Sequence, residues 1–433
     1  MIEEYTNRVG TLLKYCAAKC QETMTLQQQL NIFKNIRHAH GNTALLLSGG
    51  AALGTHHLGV IKCLFEQKLV PRIISGSSSG SIIASIICTR VDSELDRLFD
   101  SKDINLTIVA EPEQSSDYGV GGIFSKLKRL VSEGVVLDSE SLSQGMRENL
   151  GDTTFLDAYN KTQRILNITV TSATMSSMSK LLNYITSPNV VVWSAVVASC
   201  AIPRVFKRGK LLVKDQNGSL MPWNGIDEDW IDGSVENDLP IQKLAQMFNV
   251  NNTIVSQVNP HVIPFINNNL KLSLFDRIYG KILFLIKSEL QYRLPTLVEW
   301  KVFPNASKYL LSVLSQTYEG DVTIDPETLA FQDLATMLSF PDSRKIGEGI
   351  LKGKRATWPK VSIIKTRTWI ELQLDEILHT IRTHLLDSDI DPEFWESLAC
   401  RRVTFQSNVG LDELVSKPQR SCLGKEPHLY RDK

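Results

Sequence analysis

The stretch Ile73-Ile74-Ser75-Gly76-Ser77-Ser78-Ser79-Gly80-Ser81-Ile82-Ile83-Ala84-Ser85-Ile86-Ile87 decides the fold. A short apolar run leads into a G-x-S-x-G turn, and the turn leads into an apolar helical pattern. Strand, sharp turn and helix in that order form the context of a nucleophile elbow. Ser78, at its centre, is the candidate nucleophile. Gly76 and Gly80 have a steric reason, because a side chain thrust up at a strained turn leaves no room for Cβ atoms two residues to either side. A bare G-x-S-x-G arises by chance in about one chain in ten of this length. Here both flanks match as well.

One unit upstream, Thr43-Ala44-Leu45-Leu46-Leu47 reads as a buried strand, and Ser48-Gly49-Gly50-Ala51-Ala52-Leu53-Gly54 opens the next helix. Acyl transfer develops negative charge on a carbonyl oxygen. Backbone N–H groups at a helix start, beside the N–H of the residue after the nucleophile, are suited to hold that charge. Gly49, Gly50 and Ser79 are the expected donors. The same glycines also suit a nucleotide-phosphate loop or a plain tight turn, although G-G-x-x-x-G matches neither G-x-G-x-x-G nor the Walker pattern with its lysine.

An activated serine needs a base. The usual partner is a histidine, but none of the eight histidines sits after a downstream strand with a glycine or acidic neighbour. Trp230-Ile231-Asp232-Gly233-Ser234 instead puts a carboxylate at the end of a short apolar run, with Gly233 permitting another sharp turn. Asp232 in a partly buried, fixed geometry would take the serine proton directly. An isolated Asp-Gly is, by contrast, an ordinary turn.

These residues resemble the patatin-like lipid acyl hydrolases, which use a Ser-Asp dyad. Within that family the run from His38 to Gly50, with Gly54, His57, Gly59 and Val60, looks like the plant and yeast triacylglycerol lipases of oil bodies and lipid droplets. So do Ser187 to Val196, Ala198 to Pro203, Asp232-Gly233-Ser234 with Asp238-Leu239-Pro240, Ser256 to His261 and Glu319 to Ile324. The resemblance spans His38 to Trp369. It implies Ser78 as nucleophile, Asp232 as base, and Gly49, Gly50 and Ala51 as the oxyanion loop, with no metal or other cofactor. Two departures stand out. Ala51 occupies a place where many family members carry a third glycine, and the chain begins almost inside the longer front of those lipases, so residues 1–42 are read as a remnant.

The expected architecture is α/β, patatin-like, with a mostly parallel central sheet flanked by helices and helical N- and C-terminal additions. Strands are expected at Thr43 to Ser48, Ile73 to Ser75, Ile165 to Ser172, Leu181 to Ile185, Trp230 to Asp232 and Thr253 to Val258, with helices between several of them. That division gives a helical segment over 1–42, a catalytic domain over 43–262, a mostly helical extension over 263–410 and a flexible tail over 411–433. In the front segment Val9, Leu12, Leu13, Leu30, Ile32 and Phe33 are expected to cover an edge of the main domain. Glu111 to Asp138 reads either as a mobile lid or as an ordinary insertion.

Composition narrows the partners. Forty-seven basic and 47 acidic residues leave no net charge, so no global field favours nucleic acid. Seven cysteines without C-x-x-C spacing read as reduced thiols rather than a disulfide framework. The acidic start lacks a secretory pattern, and a cytoplasmic chain is expected. No run reaches the roughly eighteen apolar residues of a spanning helix. Leu270 to Leu290 carries an apolar stripe with a basic far side, suited either to its own core or to peripheral contact with a lipid-droplet or membrane surface. His384 and Asp389 fit a His-x-x-x-x-Asp spacing credited with acyltransfer, but with eight histidines such a match arises by chance in roughly one chain in three.

The expected function is hydrolysis of triacylglycerol to free fatty acid and diacylglycerol. The alternatives are a phospholipase A or lysophospholipid acyltransferase on the same dyad, and a non-catalytic protein that binds lipid surfaces.

Overall fold

The computed structural model describes residues 2–20, 24–100, 139–172, 179–201, 208–223, 229–259, 262, 316–326 and 343–388, with isolated positions between 282 and 299. The expected lid and tail lie outside these residues. So does the stripe at 270–290, isolated positions such as Ile282 and Leu285 apart.

The chain divides into two compact units, Met1–His40 with Ile370–Lys433, and Gly41–Trp369. In the first, the front of the chain is two helices, α1 (Ile2–Cys20) and α2 (Leu26–His40). Leu30 and Phe33 are buried against Leu374, Ile377, Leu378 and Ile381 of the C-terminal helix Val361–Ser388. Arg37 adds ion pairs to Glu371 at 2.7 Å and Asp375 at 2.8 Å. Leu12 and Ile32, expected to cover an edge of the main domain, are exposed instead. The buried stripe of α2 runs through Gln29, Leu30 and Phe33, and Ile32 falls outside it.

The second unit holds the strands β1 (Asn42–Leu47), β2 (Ile73–Gly76), β3 (Ile165–Ser172), β4 (Ser179–Leu182), β5 (Gly209–Lys210), β6 (Leu212–Lys214), β7 (Leu220–Pro222), β8 (Asp229–Asp232), β9 (Val250–Ser256) and β10 (Val322–Ile324). Eight of them form one sheet in the order β10-β9-β1-β2-β3-β8-β5, with β4 also paired to β3, while β6 and β7 pair separately. From β10 to β3 every neighbour is parallel. The strands β4, β8 and β5 join antiparallel. The sheet is therefore mostly parallel and flanked by helices, as the sequence predicts. β10 falls in a stretch expected to be helical, and β5 to β7 are too short to show a period of two.

Both faces of the sheet are covered. Leu45 and Leu47 pack with Ile74, Ile168 and Val170, whereas Ala44 and Leu46 pack with Ile73, Val255, Leu244 and Phe248. A strand buried on both sides has no reason to alternate, which is why β1 reads as an unbroken apolar run. The crossovers from β1 to β2 and from β2 towards β3 contain α3 (Thr55–Glu66) and α4 (Ser79–Cys88), and every residue of α4 is buried.

Register positions the site. Leu47 lies opposite Gly76 and Ser256, and Gly76 lies opposite Ile168. Four strands thus reach one level, and the loops at 48–54, 77–78 and 257–259 leave from the same carboxyl edge, where open α/β sheets bind their ligands.

The helix Ser343–Thr357 lies across α3 at glycine contacts. A Cβ on Gly59 would meet the Ile350 carbonyl at 2.0 Å, and one on Gly353 would meet the His56 carbonyl at 2.1 Å. Since backbone cannot yield as a side-chain tip can, Gly59→Ala should destabilise this unit by about 2 kcal/mol or more. Urea unfolding of the two proteins measures it, and equal midpoints would show that the helices part without strain.

Candidate active site

Ser78 sits between β2 and α4 with φ 49° and ψ −126°, a conformation that costs a side-chain-bearing residue on the order of 1–3 kcal/mol. Several contacts hold it there. Ser77 donates its N–H to the Leu47 carbonyl at 3.2 Å. The Ser78 N–H is donated to Ser199 Oγ at 3.0 Å, and Ser199 passes its own proton to the Thr169 carbonyl at 2.9 Å. A Cβ on Gly76 would meet the Gly80 carbonyl at 2.4 Å, and one on Gly80 would meet the Leu47 carbonyl at 2.3 Å. The turn closes this tightly only because both positions are glycine.

Asp232 ends β8. Its strand runs antiparallel to β3 and sets it opposite Val170, two residues beyond the Ile168 that faces Gly76. Ser78 is likewise two residues beyond Gly76, so the serine and the carboxylate come to one level from strands that are not neighbours in sequence. Asp232 is wholly buried. Burial pushes its pKa from 3.8 up to about 7, against the pull of the Ser234 N–H and the Ser78 hydroxyl and with help from the negative charge of Asp238. Oδ1 accepts the Ser234 N–H at 2.8 Å. Among the described residues Oδ2 has no partner in full hydrogen-bond geometry, while the hydroxyls of Ser78 and Ser234 both act on the carboxylate to lower its pKa.

The loop after β1 passes beside the serine, since a Cβ on Gly49 would lie 3.4 Å from Ser78 Cβ. Its donors differ from expectation in one respect. Gly49 gives its N–H to Asp238 Oδ1 at 2.9 Å and has none left for a ligand. The N–H groups of Gly50, Ala51 and Ser79 have no acceptor among the described residues. Ser79 opens the ten-residue α4, whose N-terminal partial charge favours an anion at that point. Gly233, behind Asp232, packs on the Thr169 carbonyl, where a Cβ would come to 2.6 Å.

Sequence reasoning gave no role in the site to three residues that the structure places there: Asp238, Ser199 and His57. Asp238 is buried and draws in Ser77 Oγ, the Gly49 N–H and Asn259 Nδ2. His57 is fully buried, its pKa pushed down to about 4 by desolvation. Nε2 meets the Ser48 carbonyl at 2.9 Å and Nδ1 meets Ser256 Oγ at 2.7 Å. A carbonyl only accepts, so Nε2 carries the proton and both nitrogens are occupied, which leaves the ring pinning the loop rather than serving as a base. His384 is exposed on the C-terminal helix, and Asp389 lies outside the described residues.

The sequence matches the model of the patatin-like phospholipase family over residues 45–245. It is 38% identical over 402 residues to triacylglycerol lipase SDP1L of Arabidopsis thaliana, covering 89% of this chain and 48% of that protein. It is 39% identical to triacylglycerol lipase 4 of Saccharomyces cerevisiae, covering 82% of this chain and 40% of that one. Against triacylglycerol lipase ptl3 of Schizosaccharomyces pombe it is 36% identical over 86% of this chain and 76% of the relative. The chain belongs to the patatin-like phospholipase family. It spans about half the length of the first two of these relatives.

The raised pKa of Asp232 has a consequence for stability. The folded state holds this proton up to about pH 7, whereas the unfolded chain releases it near 3.8, so stability from this group falls as pH rises through that window. Asp232→Asn should therefore stabilise the protein above pH 7 by up to about 4 kcal/mol, with the gain vanishing below about pH 4. Melting temperatures across that range measure it; a gain independent of pH would point to packing instead.

Proposed function

We propose that this chain is a serine lipid acyl hydrolase that cleaves triacylglycerol to a fatty acid and diacylglycerol. The observation that carries the reading is a buried carboxylate of raised pKa, one oxygen unpaired among the described residues, beside a serine held in a strained turn. Relatives named triacylglycerol lipases support the substrate class.

In this reading Asp232 takes the Ser78 proton on Oδ2 as Oγ attacks the ester carbonyl. The N–H groups of Gly50, Ala51 and Ser79 receive the oxyanion. Collapse expels the diacylglycerol alkoxide, to which Asp232 returns the proton. Water then gives a proton to Asp232, attacks the acyl-enzyme and releases the fatty acid, regenerating Ser78. A carboxylate suits both steps because burial has raised its basicity to the working range. An insoluble substrate requires contact with its surface, and peripheral association with a lipid droplet or membrane on the cytoplasmic side belongs to the same proposal. Among the described residues no helix is long and apolar enough to cross a membrane. The description of the family model as phospholipase favours a second reading, in which a phospholipid is the ester cleaved.

Fatty-acid release from emulsified triacylglycerol and from phosphatidylcholine vesicles tests both. Ser78→Ala and Asp232→Asn should each lower turnover by about a thousandfold or more. The wild-type rate should fall about tenfold per unit as pH drops below about 7, because the base must be ionised. Activity confined to vesicles would select the phospholipid reading, and activity surviving Ser78→Ala would remove the mechanism.

A further inference from the structure

Asp238 is a second buried carboxylate that the reaction above leaves unused. It is 2% exposed, and its oxygens collect donors from three separate segments. Oδ1 accepts from Gly49 N at 2.9 Å and from the hydroxyl of Ser77, the residue before the nucleophile. Oδ2 accepts from Asn259 Nδ2 at 2.6 Å, on the loop after β9. Its own N–H goes to Gln316 Oε1 at 2.9 Å, which fixes the backbone from behind. Of the three donors to its side chain, one belongs to the oxyanion loop and one to the nucleophile turn. These are the two pieces whose relative position sets the distance from Ser78 Oγ to the free N–H groups.

We propose that Asp238 is a positioning residue, whose carboxylate withdraws the Gly49 N–H from the donor set and clamps the oxyanion loop to the nucleophile turn. The N–H groups of Gly50 and Ala51 are thereby left to receive the substrate carbonyl. The inference rests on the reading of Ser78 as nucleophile. Preorganised donors lower a barrier only if they are held at the position the oxyanion will occupy, so the clamp acts on turnover more than on binding. Its charge has a second effect, because it raises the pKa of Asp232. Ser77, Gly49, Asn259 and Gln316, which face Asp238, are uncharged. Among the described residues, the titratable groups near Asp238 are Asp232, Cys200 beside Asp232, and the neutral His57 behind Ser48.

The test compares Asp238→Ala and Asp238→Asn in the full chain. Asparagine keeps an oxygen for Gly49 and Ser77, and its amide reaches Asn259 once that side chain flips. Alanine removes the acceptor. Asp238→Ala should lower kcat about a hundredfold with KM changed little. Asp238→Asn should stay within about tenfold of wild type, with the acid limb of its pH profile moved to lower pH because a like charge near Asp232 is gone. The rate of Ser78 labelling by a long-chain alkyl phosphonate should follow the same order. Equal losses in both variants that track a fall in melting temperature, or an alanine variant with wild-type kcat, would overturn the proposal. Labelling that survives Ser78→Ala would overturn the nucleophile reading and this inference with it, whereas labelling lost in Ser78→Ala yet unchanged in Asp238→Ala would overturn this inference alone.

Discussion

A serine at φ 49° persists only where its surroundings allow no other conformation, and much of this unit can be understood as the means of holding it. The turn is closed below by the Leu47 carbonyl, which accepts the Ser77 N–H, and at the side by Ser199, which accepts the N–H of the serine itself. Gly76 and Gly80 bring backbone to backbone at distances where a Cβ has no room. Beneath it, α4 is buried along its whole length between strands and helices. Strain of this kind is tolerated because the contacts that enforce it are those that fold the sheet.

The same packing supplies the electrostatics. Two carboxylates, Asp232 and Asp238, are enclosed within six residues of one another in sequence, and they differ in what they touch. Asp238 is surrounded by donors, and burial still holds its pKa up at about 6. Asp232 has one oxygen bonded to the Ser234 N–H and one without a full hydrogen bond among the described residues, and its pKa rises further, to about 7. A carboxylate saturated with hydrogen bonds is suited to hold structure, and one left half-satisfied is suited to receive a proton. His57 completes the frame without entering the chemistry, its ring neutral and spent between Ser48 and Ser256. The loop after β1 is therefore fixed from two sides, by a neutral ring and by a buried carboxylate.

Local sequence was enough for the elements and for the two motifs. The apolar run Ala44 to Leu47, the G-x-S-x-G with its flanks, and Asp232-Gly233 after Trp230-Ile231 each carry their structural context within a few residues. For that reason β1, β2, β3 and the turn at Ser78 were legible. The N-terminal helices were legible as helices, but not their partner, because an apolar stripe says that a face is buried and not against what; Leu30 and Phe33 meet residues more than three hundred positions away. β10 and β5 were not legible, since two or three residues carry no period. Asp238 was not legible as part of the site, because an aspartate near an Asp-Gly turn looks like any solvated acid until burial and its three donors are known.

What the sequence by itself determined is the kind of chemistry available: a serine at a forced turn, glycines that leave backbone N–H groups bare, and an aspartate at a strand end. These follow from steric rules that act over a handful of residues. What only the tertiary structure decided is which of those groups meet. The antiparallel register of β8 on β3 brings Asp232 level with Ser78, and the return of the chain after Asp232 carries Asp238 under Gly49. Register and burial are set by contacts between segments far apart in the chain, and a pKa near 7 for one aspartate and a clamping role for the other exist only once those contacts have excluded water.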